Sequence, residues 1–149
     1  THIYVDADAC PVKDEIYKVA KRYKTPVTIV ANSWMRTPDD PTIHFMQVGD
    51  GFDEADEWIV EHVNPNEIVI TTDIPLAAEC LKKGALVLGP KGRTFTEESI
   101  GNALASREVS DQLRQHGLMT GGPAPFTKQD RSRFLQKLDD LINAAQNAN

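Results

Sequence analysis

The sequence predicts an α/β domain: a mainly parallel sheet with helices on both faces, followed by a C-terminal helical arm. Three observations predict it. Short β-rich runs alternate with amphipathic stretches at the spacing of strand–helix–strand units. The 149 residues, 40% hydrophobic and 26% charged, have the size and composition of one globular domain with a real core. The last third changes character, with a Gly/Pro stretch ahead of one more apolar-periodic run.

The elements follow in order. Ile3-Tyr4-Val5 is a β-rich run ending at Asp6. After Cys10-Pro11, apolar residues at Val12, Ile16, Val19, Ala20 and Tyr23 recur at spacings of three and four, the signature of one helical face. Pro11 suits a first helical turn, where its missing N–H costs nothing. Val27 to Ala31 and Ile43 to Val48 are the second and third strands. The intervening loop from Asn32 to Pro41 leaves no room for a helix, so the third strand is joined differently. Gly49-Asp50-Gly51 breaks the chain before a helix marked by Ala55, Trp58, Ile59, His62 and Val63. Ile68 to Thr71 is the fourth strand. Leu76, Ala77, Cys80 and Leu81 mark a third helix, closed by Gly84 in a position that tolerates left-handed backbone. Ala85 to Leu88 is the fifth strand. A helix is expected from Ile100 to about Leu113, stopping at Gly117. Gly121 to Pro125 then forms a stiff linker, and a final helix begins with Thr127 as N-cap and carries Phe134, Leu135, Leu138, Leu141 and Ile142 on its apolar face. Residues 118–149 are therefore an accessory arm on a single domain, its apolar face buried on the core or on another subunit.

Bulk properties exclude several classes. The longest apolar stretches, such as Ile68-Val69-Ile70, are far too short to span a bilayer. The amino-terminal residues run directly into a strand and lack the flank and core of a secretion signal; the start at Thr1 reads as a removed initiator methionine or a trimmed chain. Cys10 and Cys80 form no Cys-x-x-Cys pattern and read as buried thiols in a reducing, cytoplasmic compartment. A net charge of −6 argues against a protein whose main task is gripping nucleic acid. It leaves room for an enzyme acting on phosphodiesters, whose metal site contributes acids of its own. The histidines form no ligand spacing, and His62 reads as structural.

In an open parallel sheet, ligands bind outside the carboxyl ends of the strands. Asp6 and Asp8 follow strand one, Asp53 and Asp56 follow strand three, and Asp73 follows strand four. Converging carboxylates repel unless a cation sits between them, and carboxylate oxygens with retained waters are what Mg²⁺ or Mn²⁺ accepts. Such ions activate water and stabilise the leaving oxygen in phosphodiester hydrolysis. The competing explanation is helix capping: an aspartate between strand and helix is often only an N-cap worth about 1 kcal/mol.

Basic residues offer a second constellation. Gly89-Pro90-Lys91-Gly92-Arg93-Thr94-Phe95-Thr96 lies ahead of a helix start, where inward N–H groups with Lys91 and Arg93 suit a phosphate; the competing explanation is a surface turn with a Thr94/Glu97 capping box. Lys128, Arg131, Arg133 and Lys137 around Phe126 and Phe134 form a basic stripe suited to a nucleic-acid backbone, or equally the solvated face of a helix. Trp34, on the loop after strand two, either stacks a base or plugs the core edge.

The segments Val5-Asp6-Ala7-Asp8-Ala9-Cys10-Pro11, Ala31 to Met35, Gly51 to Asp56, Thr71 to Ala77, Gly89 to Arg93 and Thr120 to Phe126 resemble the YaiI/YqxD family of bacterial proteins, across nearly the whole chain. That resemblance carries no assigned activity. More distantly, the order of acids is similar to PIN and NYN nuclease domains, which implies a three-layer sandwich and a Mg²⁺-binding set of Asp6, Asp53 or Asp56, and Asp73, acting on RNA. Where NYN-like sites commonly place a second aspartate after the turn aspartate, this chain has Pro75, and Asp8 is the residue to compensate.

Two rivals stand beside a metal-dependent ribonuclease. Asp6-Ala7-Asp8 is similar to the Asp-x-Asp of haloacid-dehalogenase-like phosphatases, although Lys82 and Lys91 follow Gly49-Asp50-Gly51 in the wrong order for that family. The non-enzymatic rival is an RNA-binding adaptor that keeps the fold without the chemistry.

Overall fold

Two-residue alternation along the strands decides how the layers form. The structure, a computed structural model, describes residues 1–7, 10–49, 54–101 and 126–147. Strands β1 (Ile3–Asp6), β2 (Val27–Ala31), β3 (Ile43–Gln47), β4 (Ile68–Ile70), β5 (Leu86–Leu88) and β6 (Thr94–Phe95) make one sheet in the order β3-β2-β1-β4-β5-β6. The first five run parallel and β6 pairs antiparallel with β5. Ile3, Val5, Val27, Ile29, Ile68 and Ile70 point to one face, where they meet helices α1 (Lys13–Tyr23) and α4 (Lys128–Asn147). Tyr4, Val30, Val69 and Val87 point to the other, under α2 (Glu54–His62) and α3 (Ile74–Lys82). Because both faces are covered, the central strands are buried and mainly apolar rather than alternating with polar residues.

The third connection is unusual, as the short loop requires. β2 and β3 are parallel neighbours, yet residues 32–42 cross between them without a helix, with Met35 packed on the α1 side. β3 is consequently an edge strand, half-buried or exposed along its length. Gly84 ends α3 as expected: at φ +85° it lets its own N–H reach Leu81 O (3.0 Å) and that of Ala85 reach Cys80 O (3.1 Å), which satisfies two terminal carbonyls. Pro11 lies one residue ahead of Val12, the N-cap of α1, so it falls outside the helix.

The arm folds back on its own core. Phe134, Leu138, Ile142 and Ala145 of α4 are fully or almost fully buried, and burial of each large side chain stabilises by about 2 kcal/mol. Thr127 caps α4 as expected: its Oγ1 accepts from the Asp130 amide (3.1 Å), while Asp130 Oδ2 accepts from the Thr127 amide (3.0 Å). That amide bond holds the Asp130 carboxyl below its usual range. The Tyr23 hydroxyl donates to Asp139, and Arg131 pairs with Glu15 (3.0 Å), tying α4 to α1.

Two local expectations are corrected. The segment from Gly89 is the turn of a β5–β6 hairpin, so Thr94 is a strand residue and cannot cap a helix. The cap forms two residues later, where Thr96 and Ser99 exchange side-chain-to-backbone bonds of 2.8 and 3.1 Å and start a helix seen over residues 97–101. Trp34 does not plug the core edge: it is 71% exposed. The remainder of the helix expected to Leu113 and the 121–125 linker lie outside the described residues. No described helix is long and apolar enough to cross a membrane.

Candidate functional site

The sheet order fixes where a ligand fits. From β1 the chain proceeds outward to β2 and β3, then returns to β4 beside β1 and continues to β5 and β6. β1 leads into a helix on one face and β4 into a helix on the other, which makes their carboxyl ends the switch point where open parallel sheets take ligands. Asp6 ends β1, and Thr71 to Asp73 follow β4.

One hydroxyl links the two acids. Buried Thr71 accepts a hydrogen bond at Oγ1 from the Asp73 amide (3.0 Å), which leaves its proton to be donated to Asp6 Oδ2 (2.8 Å). Asp73 is also the N-cap of α3, since its Oδ1 accepts from the Leu76 amide (2.9 Å). The capping explanation therefore holds for Asp73. α1 starts at Val12 with no side-chain cap, so Asp6 does not cap that helix. Its partner is Thr71, in a different strand connection.

The other acids stand differently. Asp56 lies in the first turn of α2, half-buried. Asp8 and Asp53 lie outside the described residues. Among the described residues, no three His, Cys, Asp or Glu side chains come together as a metal cage. The described candidates are thus the Asp6 carboxylate, bonded through the Thr71 hydroxyl to the Asp73 backbone amide, and the Asp73 carboxylate, which caps α3. By donor chemistry carboxylates suit Mg²⁺, which typically takes one or two of them, keeps several waters and shares substrate phosphate oxygens. The cysteines add no nucleophile. Burial pushes the Cys80 thiol up to about 12 and raises that of half-buried Cys10, so both stay protonated at neutral pH.

Beside Thr71 lies a cavity of about 730 Å³. Lys91 and Arg93 enter it from the β5–β6 turn, and Arg133 and Lys137 from α4; Thr71, Thr72, Pro90 and Phe95 complete its character. Among the described residues, no carboxylate lines it. Asp130 pairs with Arg133 (3.3 Å) through side chains that are 13% and 56% exposed.

The cavity depends on one glycine. Gly92 sits at φ +88°, and a Cβ there would lie 2.7 Å from the Arg133 carbonyl carbon and 2.8 Å from the Phe134 nitrogen. The turn thus rests directly on the α4 backbone, which joins the two pairs of cations. The Gly89 and Gly92 amides are spent inside the turn, on Arg93 O (2.8 Å) and Gly89 O (3.0 Å). The expectation that these two amides cradle a phosphate is corrected, since both are occupied inside the turn.

The basic stripe is split rather than continuous. Arg131 faces α1, held by Glu15 and lying 5.6 Å from the Phe126 ring centre, and Lys128 is exposed outside the cavity lining. Only Arg133 and Lys137 turn toward the cavity. Sequence reasoning missed the role of Thr71 and the convergence of Lys137 with Lys91. The i, i+4 spacing of Arg133 and Lys137 was the available signal, but nothing local connects them to residue 91. His62 is structural as expected, stacked on Trp58 with centroids 3.8 Å apart and bonded through Nδ1 to Trp58 O (2.7 Å).

Comparison with known proteins fixes the family. The model of the uncharacterised bacterial YaiI/YqxD family matches residues 4–144. The chain belongs to that family. A UPF0178 protein of Paramagnetospirillum magneticum is 55% identical over 145 residues, covering 97% of this chain and 96% of its own length. One from Rhodopseudomonas palustris strain BisB18 is 53% identical over 149 residues, covering 100% of this chain and 96% of its own length. No solved structure matches.

Proposed function

We propose that this YaiI/YqxD protein is a divalent-metal-dependent hydrolase of phosphodiesters, with RNA as its substrate class. One observation carries the reading: a cavity lined by four cations opens beside the Thr71 hydroxyl, which donates to the Asp6 carboxylate and accepts from the Asp73 backbone amide. Groups that attract a phosphate thus line a cavity next to Thr71, whose hydroxyl bonds Asp6, in a chain whose overall charge is −6. The order of acids, similar to PIN and NYN nucleases, points the same way.

In this reading Lys91, Arg93, Arg133 and Lys137 bind and orient the phosphate. Asp6 and Asp73 hold Mg²⁺ or Mn²⁺, and Thr71 fixes their relative placement. When bound, the cation supplies a more acidic water and neutralises charge building on phosphate oxygens. Water oxygen bonds to phosphorus, the bond from phosphorus to the leaving ribose oxygen breaks, and that oxygen takes up a proton. The products are a phosphomonoester end and a hydroxyl end. Asp8, Asp53 and Asp56 are the candidates to complete the ligand set or accept the water's proton.

Calorimetric titration with Mn²⁺ and Mg²⁺ tests the carboxylate half. Binding at millimolar affinity or tighter, lost in both Asp6→Asn and Asp73→Asn, is expected. No binding by a folded wild type would sink the metal-dependent reading. The second reading, an RNA-binding adaptor, is favoured by Pro75, which occupies the first turn of α3 where NYN-like sites place another carboxylate. An adaptor binds RNA equally with and without Mg²⁺, and Asp73→Asn leaves that binding intact.

A further inference from the structure

The arrangement of the cations narrows the substrate further, and this inference rests on the reading just given. A surface that holds the middle of a strand needs a charged groove tracking successive phosphates. Here the expected stripe is broken. Arg131 pairs with Glu15 of α1, while Arg133, which pairs with Asp130 of its own helix, and Lys137 line one open pocket together with Lys91 and Arg93. Concentrated positive charge suits concentrated negative charge. A phosphomonoester carries about −1.5 to −2 at neutral pH with three strong acceptor oxygens, whereas an internal phosphodiester carries only one negative charge. Guanidinium groups also pair with phosphate oxygens two at a time.

The walls fit the rest of a nucleotide. Phe95 and Pro90 supply apolar surface beside the cations, and about 730 Å³ lies within the range of sites for small organic ligands, roughly 300–1,000 Å³. Position matters too. β1, β4 and β5 are successive neighbours, so their carboxyl ends step along the sheet edge by about 5 Å each. A nucleotide seated at the β5 end therefore puts the linkages next to it within reach of Asp73 and Asp6.

We propose that the Lys91–Arg93–Arg133–Lys137 cavity is a receptor for the phosphomonoester end of a single nucleic-acid strand, which makes the site end-directed rather than one that cuts internally. The hydrolysis described above creates such an end on one product, so each cleavage regenerates a ligand for the cavity.

Fluorescence anisotropy in EDTA tests this without metal or cleavage. The probes are one single-stranded RNA sequence carrying a 5′-phosphate, a 3′-phosphate or hydroxyls at both ends, with a nucleoside monophosphate as competitor. One phosphorylated form is expected to bind at least about tenfold tighter than the hydroxyl form, equivalent to about 1.4 kcal/mol. Arg93→Ala and Lys137→Ala, both at exposed positions, should cut that preference to about twofold or less. Lys128→Ala removes the same charge from α4 outside the cavity and should preserve it. Equal binding of all three probes, or a preference that survives both cavity variants, overturns the proposal. A mononucleotide binding as tightly as the phosphorylated strand overturns the strand-end assignment in favour of a free nucleotide. If end preference is absent while metal-dependent cleavage persists, this inference fails alone; if it is present without cleavage, only the hydrolase reading fails.

Discussion

The two halves of the candidate site are built in opposite ways. The acidic half is local to the sheet: Asp6 and Thr71 lie at the ends of adjacent strands, and a single hydroxyl spans them. The basic half exists only because a hairpin turn lands on a helix distant in sequence, with Gly92 at the point of contact. The acids are thus as stable as the strands that carry them. The cations depend on how α4 docks, and changes that loosen α4 should separate the two halves.

The largest effect is expected from Phe134→Ala. This side chain is fully buried, on a residue whose backbone nitrogen is part of the Gly92 contact, and its loss should cost about 3–5 kcal/mol in urea unfolding, by lost burial and a cavity. Gly92→Ala comes next. It combines a left-handed backbone, costing about 1–2 kcal/mol, with overpacking, costing about 1–3 kcal/mol. Phosphate-end binding should weaken in parallel, while Mn²⁺ affinity stays near wild type. Equal loss of both would show that the halves are not separable. Thr71→Val keeps the shape and removes the bridge. Leaving the Asp73 amide without its acceptor should cost about 1–3 kcal/mol, and the metal affinity should fall more than the end preference. The smallest effect belongs to Trp34→Ala. With 71% of its surface exposed, stability should stay within about 0.5 kcal/mol; a larger change in the melting curve would show that it packs after all.

Legibility in the sequence follows the same division. The strands are readable as short β-rich runs and the helices because their apolar residues repeat at three and four, and Gly84 and Thr127 mark ends through local chemistry. Asp6 and Asp73 were readable because strand ends are where an open parallel sheet takes ligands. Thr71 was not singled out, since a threonine closing a strand looks like any β-branched residue until its hydroxyl is seen between two acids. The hairpin at Gly89 was read as a helix approach because β6 is only Thr94–Phe95, too short to show alternation. Lys137 was read with Lys128 and Arg131 because sequence spacing groups residues along a helix. Only the packing of α4 shows that 131 faces Glu15 whereas 133 and 137 face the turn.

The central claim is that the acidic and basic halves act on one phosphodiester strand, and gel-resolved cleavage of end-phosphorylated single-stranded RNA tests it most directly. With Mn²⁺ or Mg²⁺, the wild type should shorten the strand from the phosphorylated end, Asp6→Asn and Asp73→Asn should abolish shortening, and Lys137→Ala should slow it. Intact RNA after prolonged incubation with metal-loaded, folded wild type, or cleavage undiminished in both aspartate variants, would contradict the account.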